Sequence, residues 1–216
     1  MTIVECDVLL FDMDGTLVDS TAVVERHWGR WAARHGLSLA EILSVSHGRP
    51  TIETLRLVAP HLATADEAAR LDAGEADDSD GLRPVPGAEA LVASLPQNRW
   101  AVVTSAGRAL ATKRLVAASL PIPDVLVTSD DVPRGKPDPA SYLEAARRLG
   151  ALATRSIVLE DAPVGVESGR AAGATVIGVT TTFAALAGCD YLVPDLRAIR
   201  LLESAAAGLR LQVEQG

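Results

Sequence analysis

Cysteine is nearly absent from the chain: Cys6 and Cys189 are the only two among 216 residues, and they stand in no metal-ligand spacing. This excludes a disulfide framework, fits a reducing compartment and leaves both thiols as small buried hydrophobes. Positive charge is in deficit. With 20 Lys and Arg against 28 Asp and Glu the net charge is −8, which argues against a nucleic-acid or anionic-membrane surface and means that an anionic ligand needs local cations. No apolar run approaches membrane-spanning length, and Glu5 and Asp7 stand where a secretory leader carries basic residues. A soluble, cytoplasmic protein is expected. Internal repeats and low-complexity segments are lacking. No Gly-x-Gly-x-x-Gly follows the first strand, which counts against a nucleotide-binding oxidoreductase. His27, His35, His47 and His61 show no metal spacing, and only His47, beside Gly48 and Arg49, is a site candidate.

What is present is an ordinary globular composition, 48% hydrophobic and 22% charged, over a length that suits one α/β domain with a modest inserted module. The chain is organised around Val8-Leu9-Leu10-Phe11-Asp12-Met13-Asp14-Gly15-Thr16-Leu17, where four apolar residues end in two carboxylates, a glycine and a hydroxyl. The run reads as a strand buried on both faces, as at the centre of a parallel sheet. Side chains alternate along a strand, so Asp12 and Asp14 lean to one side, repel each other and favour a bound cation. A plain Asp-Gly surface turn is the competing reading of this segment alone.

Helical spacing follows over residues 21–35, with Val24, Trp28 and Trp31 on one face, and Asp19 or Ser20 is a candidate cap. Residues 38–46, 51–59 and 64–76 read as further helices, Ser38 and Glu41 forming a capping box. The acidic run from Glu75 to Asp80 reads as a solvated helix end, and residues 81–87 as a proline-punctuated hinge paired with 16–19. From Gly87 helix and strand alternate: strands at 99–104, 125–128, 156–159 and 175–179, helices between them, a short strand at 191–193 and a closing helix over 196–211. That pattern predicts a Rossmann-like, doubly wound, mostly parallel sheet with an inserted α-helical cap: a core of 1–18 and 83–216, and a cap of 19–82.

Chemically loaded residues fall at the carboxyl ends of several of these strands, and such ends share one edge of a parallel sheet. Thr104-Ser105-Ala106-Gly107 closes one strand ahead of a helix whose free amides favour an anion, so Ser105 and Ala106 are phosphate-contact candidates; an unoccupied helix cap is the competing reading. Lys136, bracketed by Pro137 and Pro139, is presented from a stiff loop as a fixed ammonium. Glu160-Asp161 repeats the opening design, with Asp161 assigned to a metal and Glu160 to its outer shell or a water ligand.

In this order Asp12-x-Asp14, Ser105, Lys136 and Glu160-Asp161 resemble the four signatures of the haloacid dehalogenase superfamily, most of whose members are phosphatases. The helical block sits where that family carries a small helical cap. Ser46-His47-Gly48-Arg49-Pro50-Thr51 is similar to the cap segment of its sugar- and polyol-phosphate phosphatases. The resemblance implies a small phosphorylated metabolite as substrate; the acidic balance speaks against a nucleic-acid or membrane partner, and a monomer or weak homodimer is expected. The resemblance also implies Mg2+ held by Asp12, Asp161 and the backbone carbonyl of Asp14, with Asp12 as nucleophile and Asp14 as general acid and base. Lys136 and Ser105 would carry phosphoryl charge, and Arg49 and Thr51 are candidate substrate contacts in the cap. A β-phosphoglucomutase-like mutase is the alternative, weakened by Val24 where that branch places a cap histidine. A receiver-like signalling domain also accepts phosphate on aspartate, but needs neither a lid nor Asp14.

Overall fold

The structure, a computed structural model, describes residues 1–205 and 208–215. At its centre lies β2 (Val8–Phe11), every residue of which is buried. Alternation sends Leu9 and Phe11 into one hydrophobic cluster and Val8 and Leu10 into another, so one strand feeds a core on each face of the sheet. β2 pairs in parallel with β5 (Trp100–Val103) on one side and β7 (Ser156–Glu160) on the other. β6 (Leu126–Val127) lies outside β5, while β8 (Thr175–Val179) and β9 (Tyr191–Val193) lie outside β7, giving the all-parallel order β6-β5-β2-β7-β8-β9. Helices α5 (Ala88–Ser94) and α6 (Arg108–Ala117) supply the first cluster, α7 (Ala140–Arg148) and α8 (Pro163–Ala171) the second. The chain leaves β2 toward β5 and β6, then returns to β7 and runs the other way. The strand order therefore reverses between β2 and β7, the place where open sheets of this kind form a ligand crevice.

Between β2 and α5 comes a block of four helices, α1 (Thr21–His35), α2 (Leu39–Ser46), α3 (Thr51–Val58) and α4 (Ala65–Ala76). It closes on its own apolar cluster, in which Trp28 and Trp31 meet edge to face with centroids 5.6 Å apart alongside Ile42, Leu55 and Leu71. Ser38 caps α2, its hydroxyl accepting from the Glu41 amide at 3.4 Å, and Ser20 precedes α1 without a side-chain cap bond. Both crossings between block and sheet run through an antiparallel pair, β3 (Val18–Asp19) against β4 (Arg83–Pro84). This is the hinge pairing expected from residues 16–19 and 81–87.

Three expectations are corrected. The closing helix over 196–211 does not form: after a single 3-10 turn at Leu196–Ala198 the chain makes β10 (Ile199–Ala205) and β11 (Gly208–Val213), residues 206 and 207 lying outside the description. β11 pairs on its other edge with β1 (Thr2–Cys6), a strand the sequence reading missed. The physical reason is period: Leu209, Leu211 and Val213 are buried while Arg210 and Gln212 are not, and burying one such side chain is worth about 1.5–3 kcal/mol, more than the helix propensity of the neighbouring alanines. The acidic run is not a simple solvated helix end, because Glu75 is buried against Arg114, Asp78 binds Arg26 and His27, and Asp77 binds Lys113. Cys6 is buried as expected, whereas Cys189 is only partly so. Among the described residues no helix is long and apolar enough to cross a membrane.

Candidate active site

At the reversal point Asp12 directly follows β2, and on the neighbouring strand Glu160 ends β7 with Asp161 directly after it. Lys136, in the loop beyond β6 and only 1% exposed, extends its ammonium between them. It donates to Asp12 Oδ1 at 2.5 Å, to Glu160 Oε1 at 2.6 Å and to the Val103 carbonyl at 3.2 Å. Glu160 is fully engaged. Its Oε1 also accepts from the Tyr142 hydroxyl at 2.6 Å, and its Oε2 accepts from the amides of Asp161 and Ala162. Asp161 is the opposite case: both its carboxylate oxygens are buried with no hydrogen-bond partner, and the Thr182 hydroxyl lies beside it without closing a bond of normal geometry. Ligand oxygens of Asp12, Glu160 and Asp161 all lie within 4.8 Å of one another.

The electrostatic consequence is direct. Burial, then Asp12, then Glu160 push the Asp161 carboxyl well above the usual carboxylate range. Burial raises Asp12 to about 8, with Glu160 and Asp14 adding to the rise and Lys136 opposing it. Three buried carboxylates against one ammonium leave an unmet demand for positive charge, and orphaned oxygens at Asp161 show where it is sharpest. Oxygen-only donors of this kind suit a hard divalent cation such as Mg2+.

Beyond Asp12 the chain folds back at Gly15, whose amide donates to the Val18 carbonyl at 2.8 Å, and this turn sets Asp14 at the mouth of the cleft. Asp14 Oδ2 accepts from Arg114 Nη1 at 2.7 Å, while its Oδ1 is buried without a partner. Ser105 donates to the Gly48 carbonyl of the helical block at 2.8 Å. Gly48 itself, at φ +76°, comes so close to α8 that a Cβ there would lie 2.8 Å from Val164 Cγ2, so the block sits tightly over the strand ends. A partly enclosed cleft of about 80 Å³ remains between sheet and block. A water takes up about 30 Å³ of liquid volume, so the cleft has room for a few waters or for a ligand group of that size.

The structure brings Asp12, Asp14, Ser105, Ala106, Arg49 and Thr51 to this cleft, and gathers Lys136, Glu160 and Asp161 around Asp12. Arg49 donates to the Val45 carbonyl at 3.2 Å and Thr51 to Asp72 Oδ1 at 2.5 Å. His47 lines the cleft edge-on to Phe183, with centroids 5.8 Å apart, and burial lowers its pKa. Sequence reasoning passed over Arg114 and Asp72, and took Glu75 for part of a solvated helix end. A signal was there: Arg114 falls on the apolar stripe of α6 with Leu110, Ala111 and Leu115, and Glu75 on that of α4 with Ala68 and Leu71. A charged residue on a buried stripe needs a partner. Tyr142 and Thr182 gave no comparable sign.

A doubly wound sheet with carboxylates and a buried lysine at its reversal point, roofed by a helical insertion, defines a class of hydrolases that work on small molecules. The chain belongs to the haloacid dehalogenase-like hydrolases, whose family model matches residues 6–173. It is similar to hexitol phosphatase A of Escherichia coli, at 46% identity over 81% of this chain and 83% of that protein. It is also similar to 2-deoxyglucose-6-phosphate phosphatase 1 of Saccharomyces cerevisiae, at 34% identity over 96% of this chain and 95% of that one. Among solved structures, a hydrolase from Pseudomonas syringae superimposes with a TM-score of 0.77 at 28% identity, covering 88% of this chain and 94% of that one.

Proposed function

We propose that the protein is a magnesium-dependent phosphatase that hydrolyses small phosphorylated sugars or polyols through an aspartyl-phosphate on Asp12. The observation that carries the reading is the buried, partnerless carboxylate of Asp161 facing Asp12, with Lys136 between Asp12 and Glu160. Relatives named for hexitol and 2-deoxyglucose-6-phosphate phosphatase activity support the substrate class. In this reading residues 1–18 and 83–216 form the catalytic core and residues 19–82 the cap domain.

Asp12, Asp161 and the backbone carbonyl of Asp14 would hold Mg2+, and Glu160, which already accepts four hydrogen bonds, fits an outer-shell role. When bound, the ion cancels the repulsion between a phosphomonoester dianion and the carboxylate that must approach it. An oxygen of Asp12 attacks phosphorus, splitting hydrolysis into two displacements. Lys136 balances charge at Asp12, and Ser105 with the Ala106 amide would bind phosphoryl oxygens once the Ser105 hydroxyl releases the Gly48 carbonyl and the Ala106 amide releases Thr104 Oγ1. Asp14, one strand repeat beyond the nucleophile, delivers a proton to the departing alcohol and later takes one from the hydrolytic water. Arg49 and Thr51 supply polar contacts from the cap, which also sheds bulk water from the cleft.

A phosphate-release assay over phosphorylated sugars and polyols, with and without Mg2+, tests the reading. Asp12→Asn and Asp14→Asn are expected to be folded and inactive. A fully active Asp12→Asn protein sinks the nucleophile assignment, and a folded wild type that releases phosphate from none of these esters sinks the function.

A further inference from the structure

One turn apart on α4, Asp72 and Glu75 both line the cleft. Thr51 holds one oxygen of Asp72, and Arg114 holds one oxygen of Glu75. Burial raises both carboxyls, Glu75 to about 7. Two further polar atoms of the same lining are buried with no partner, Ser46 Oγ and Arg114 Nε, on residues 8% and 4% exposed. The phosphoryl chemistry uses none of these four side chains directly. Leaving buried donors and acceptors unpaired is costly, so their persistence on a cleft wall points to a ligand that pairs them.

The complement is specific. Carboxylates only accept, a guanidinium only donates and a serine hydroxyl does both. Vicinal hydroxyls, each able to donate to one group and accept from the next, match such an alternation; a methylene chain matches none of it. A second anionic group on the ligand meets Asp72 and Glu75 while Arg114 is already shared by Asp14 and Glu75. Arg49, the other cation of the lining, sits on the loop after α2 and is turned to the Val45 carbonyl.

Resting on the phosphatase reading, we infer that Ser46, Asp72, Glu75 and Arg114 form the subsite that reads the alcohol portion of the substrate, selecting neutral polyhydroxy monophosphates over esters that carry a carboxylate or a second phosphate. The group acts on discrimination between leaving alcohols and leaves the nucleophile untouched.

The test compares kcat/KM for sorbitol 6-phosphate, phosphoglycolate and, as a hydroxyl-free reference, p-nitrophenyl phosphate, all with Mg2+. Wild type is expected to prefer the polyol ester over phosphoglycolate by roughly tenfold or more, the scale set by a site whose polar groups go unpaired with the wrong ligand. Ser46→Ala and Asp72→Asn each lower the ratio of sorbitol 6-phosphate to p-nitrophenyl phosphate by about tenfold, chiefly through KM, and Asp72→Asn narrows the preference against phosphoglycolate. Thermal melts confirm folding, and Ser46→Ala alone decides the matter if Asp72→Asn does not fold. Unchanged ratios in a folded variant overturn the subsite, as does a wild type that cleaves p-nitrophenyl phosphate without favouring the polyol. A wild type that cleaves no ester refutes the phosphatase reading itself, and the subsite with it.

Discussion

Arg114 Nη1 donates to Asp14 Oδ2 at 2.7 Å, and its Nη2 reaches Glu75, so one guanidinium ties the loop after β2 to the helical block. Burial works against the charge on Arg114, and the two carboxylates outweigh it, raising the pKa. Arg114→Met keeps the stem but strands two carboxylates, and breaking a buried pair of this kind typically costs about 3–5 kcal/mol. Urea unfolding should show that loss, and kcat/KM should fall by roughly 10–100-fold as Asp14 loses its anchor. Arg114→Lys should recover only part of each, because an ammonium cannot serve two carboxylates in a planar fork. A methionine variant as stable as wild type would remove the bridge from the account.

Asp161 gives a prediction of the opposite sign. Its two bare oxygens sit against Asp12 and Glu160, so in metal-free buffer Asp161→Asn should be as stable as wild type or more so. Added Mg2+ should reverse the ranking. A ligand that binds only the folded state stabilises it by about 2.7 kcal/mol at a hundred times its dissociation constant, and wild type alone should show that gain in thermal melts across an Mg2+ series. Equal gains in both proteins would place the ion elsewhere.

Gly15 couples the turn to the same site. Its φ is +84°, and a Cβ there would overlap the Asp161 carboxylate and crowd the Thr182 hydroxyl. Gly15→Ala should therefore cost about 1–3 kcal/mol from backbone strain and displaced side chains. It should also lose the Mg2+-dependent gain although no carboxylate has been removed. Retention of that gain at wild-type affinity would show that the turn and Asp161 move independently.

How much could be read beforehand follows from which signals are local. Val8 to Phe11 announced a central strand because four apolar residues in a row need cover on both faces, and Asp12, Lys136 and Asp161 stood out because each ends or follows such a strand. The hinge was legible in its prolines. Strands β1 and β11 were not: Thr2 to Cys6 is short, with Ile3 and Glu5 exposed, and its pairing partner lies at the other end of the chain, at Leu209 to Val213. The alanine-rich stretch ahead of β11 carries local helix propensity, and only the alternating burial along Gly208–Val213 marks that segment as a strand. The Arg114 bridge was hidden for a related reason, since its partners stand 100 and 39 residues away in sequence.

Asp131 supplies a pH test away from the cleft. It accepts from the Thr128 amide and hydroxyl, each at 2.8 Å, and pairs with Arg108 at 2.7 Å and Arg148 at 2.9 Å, linking the end of β6 to α6 and α7. Burial pushes its carboxyl up, but Arg148, Thr128 and Arg108 prevail and hold it at about 2. A depressed folded-state pKa contributes stability that is present above the unfolded value near 4 and is lost as the pH falls toward 2. Because Arg108 is half exposed, the contribution is discounted to about 1–2 kcal/mol. Asp131→Asn should be less stable than wild type by that amount at neutral pH, and the two urea midpoints should converge as the pH is lowered from about 4.5 to 2. A gap that stays constant over this range would mean that Asp131 acts through shape and neutral hydrogen bonds, with its charge contributing nothing.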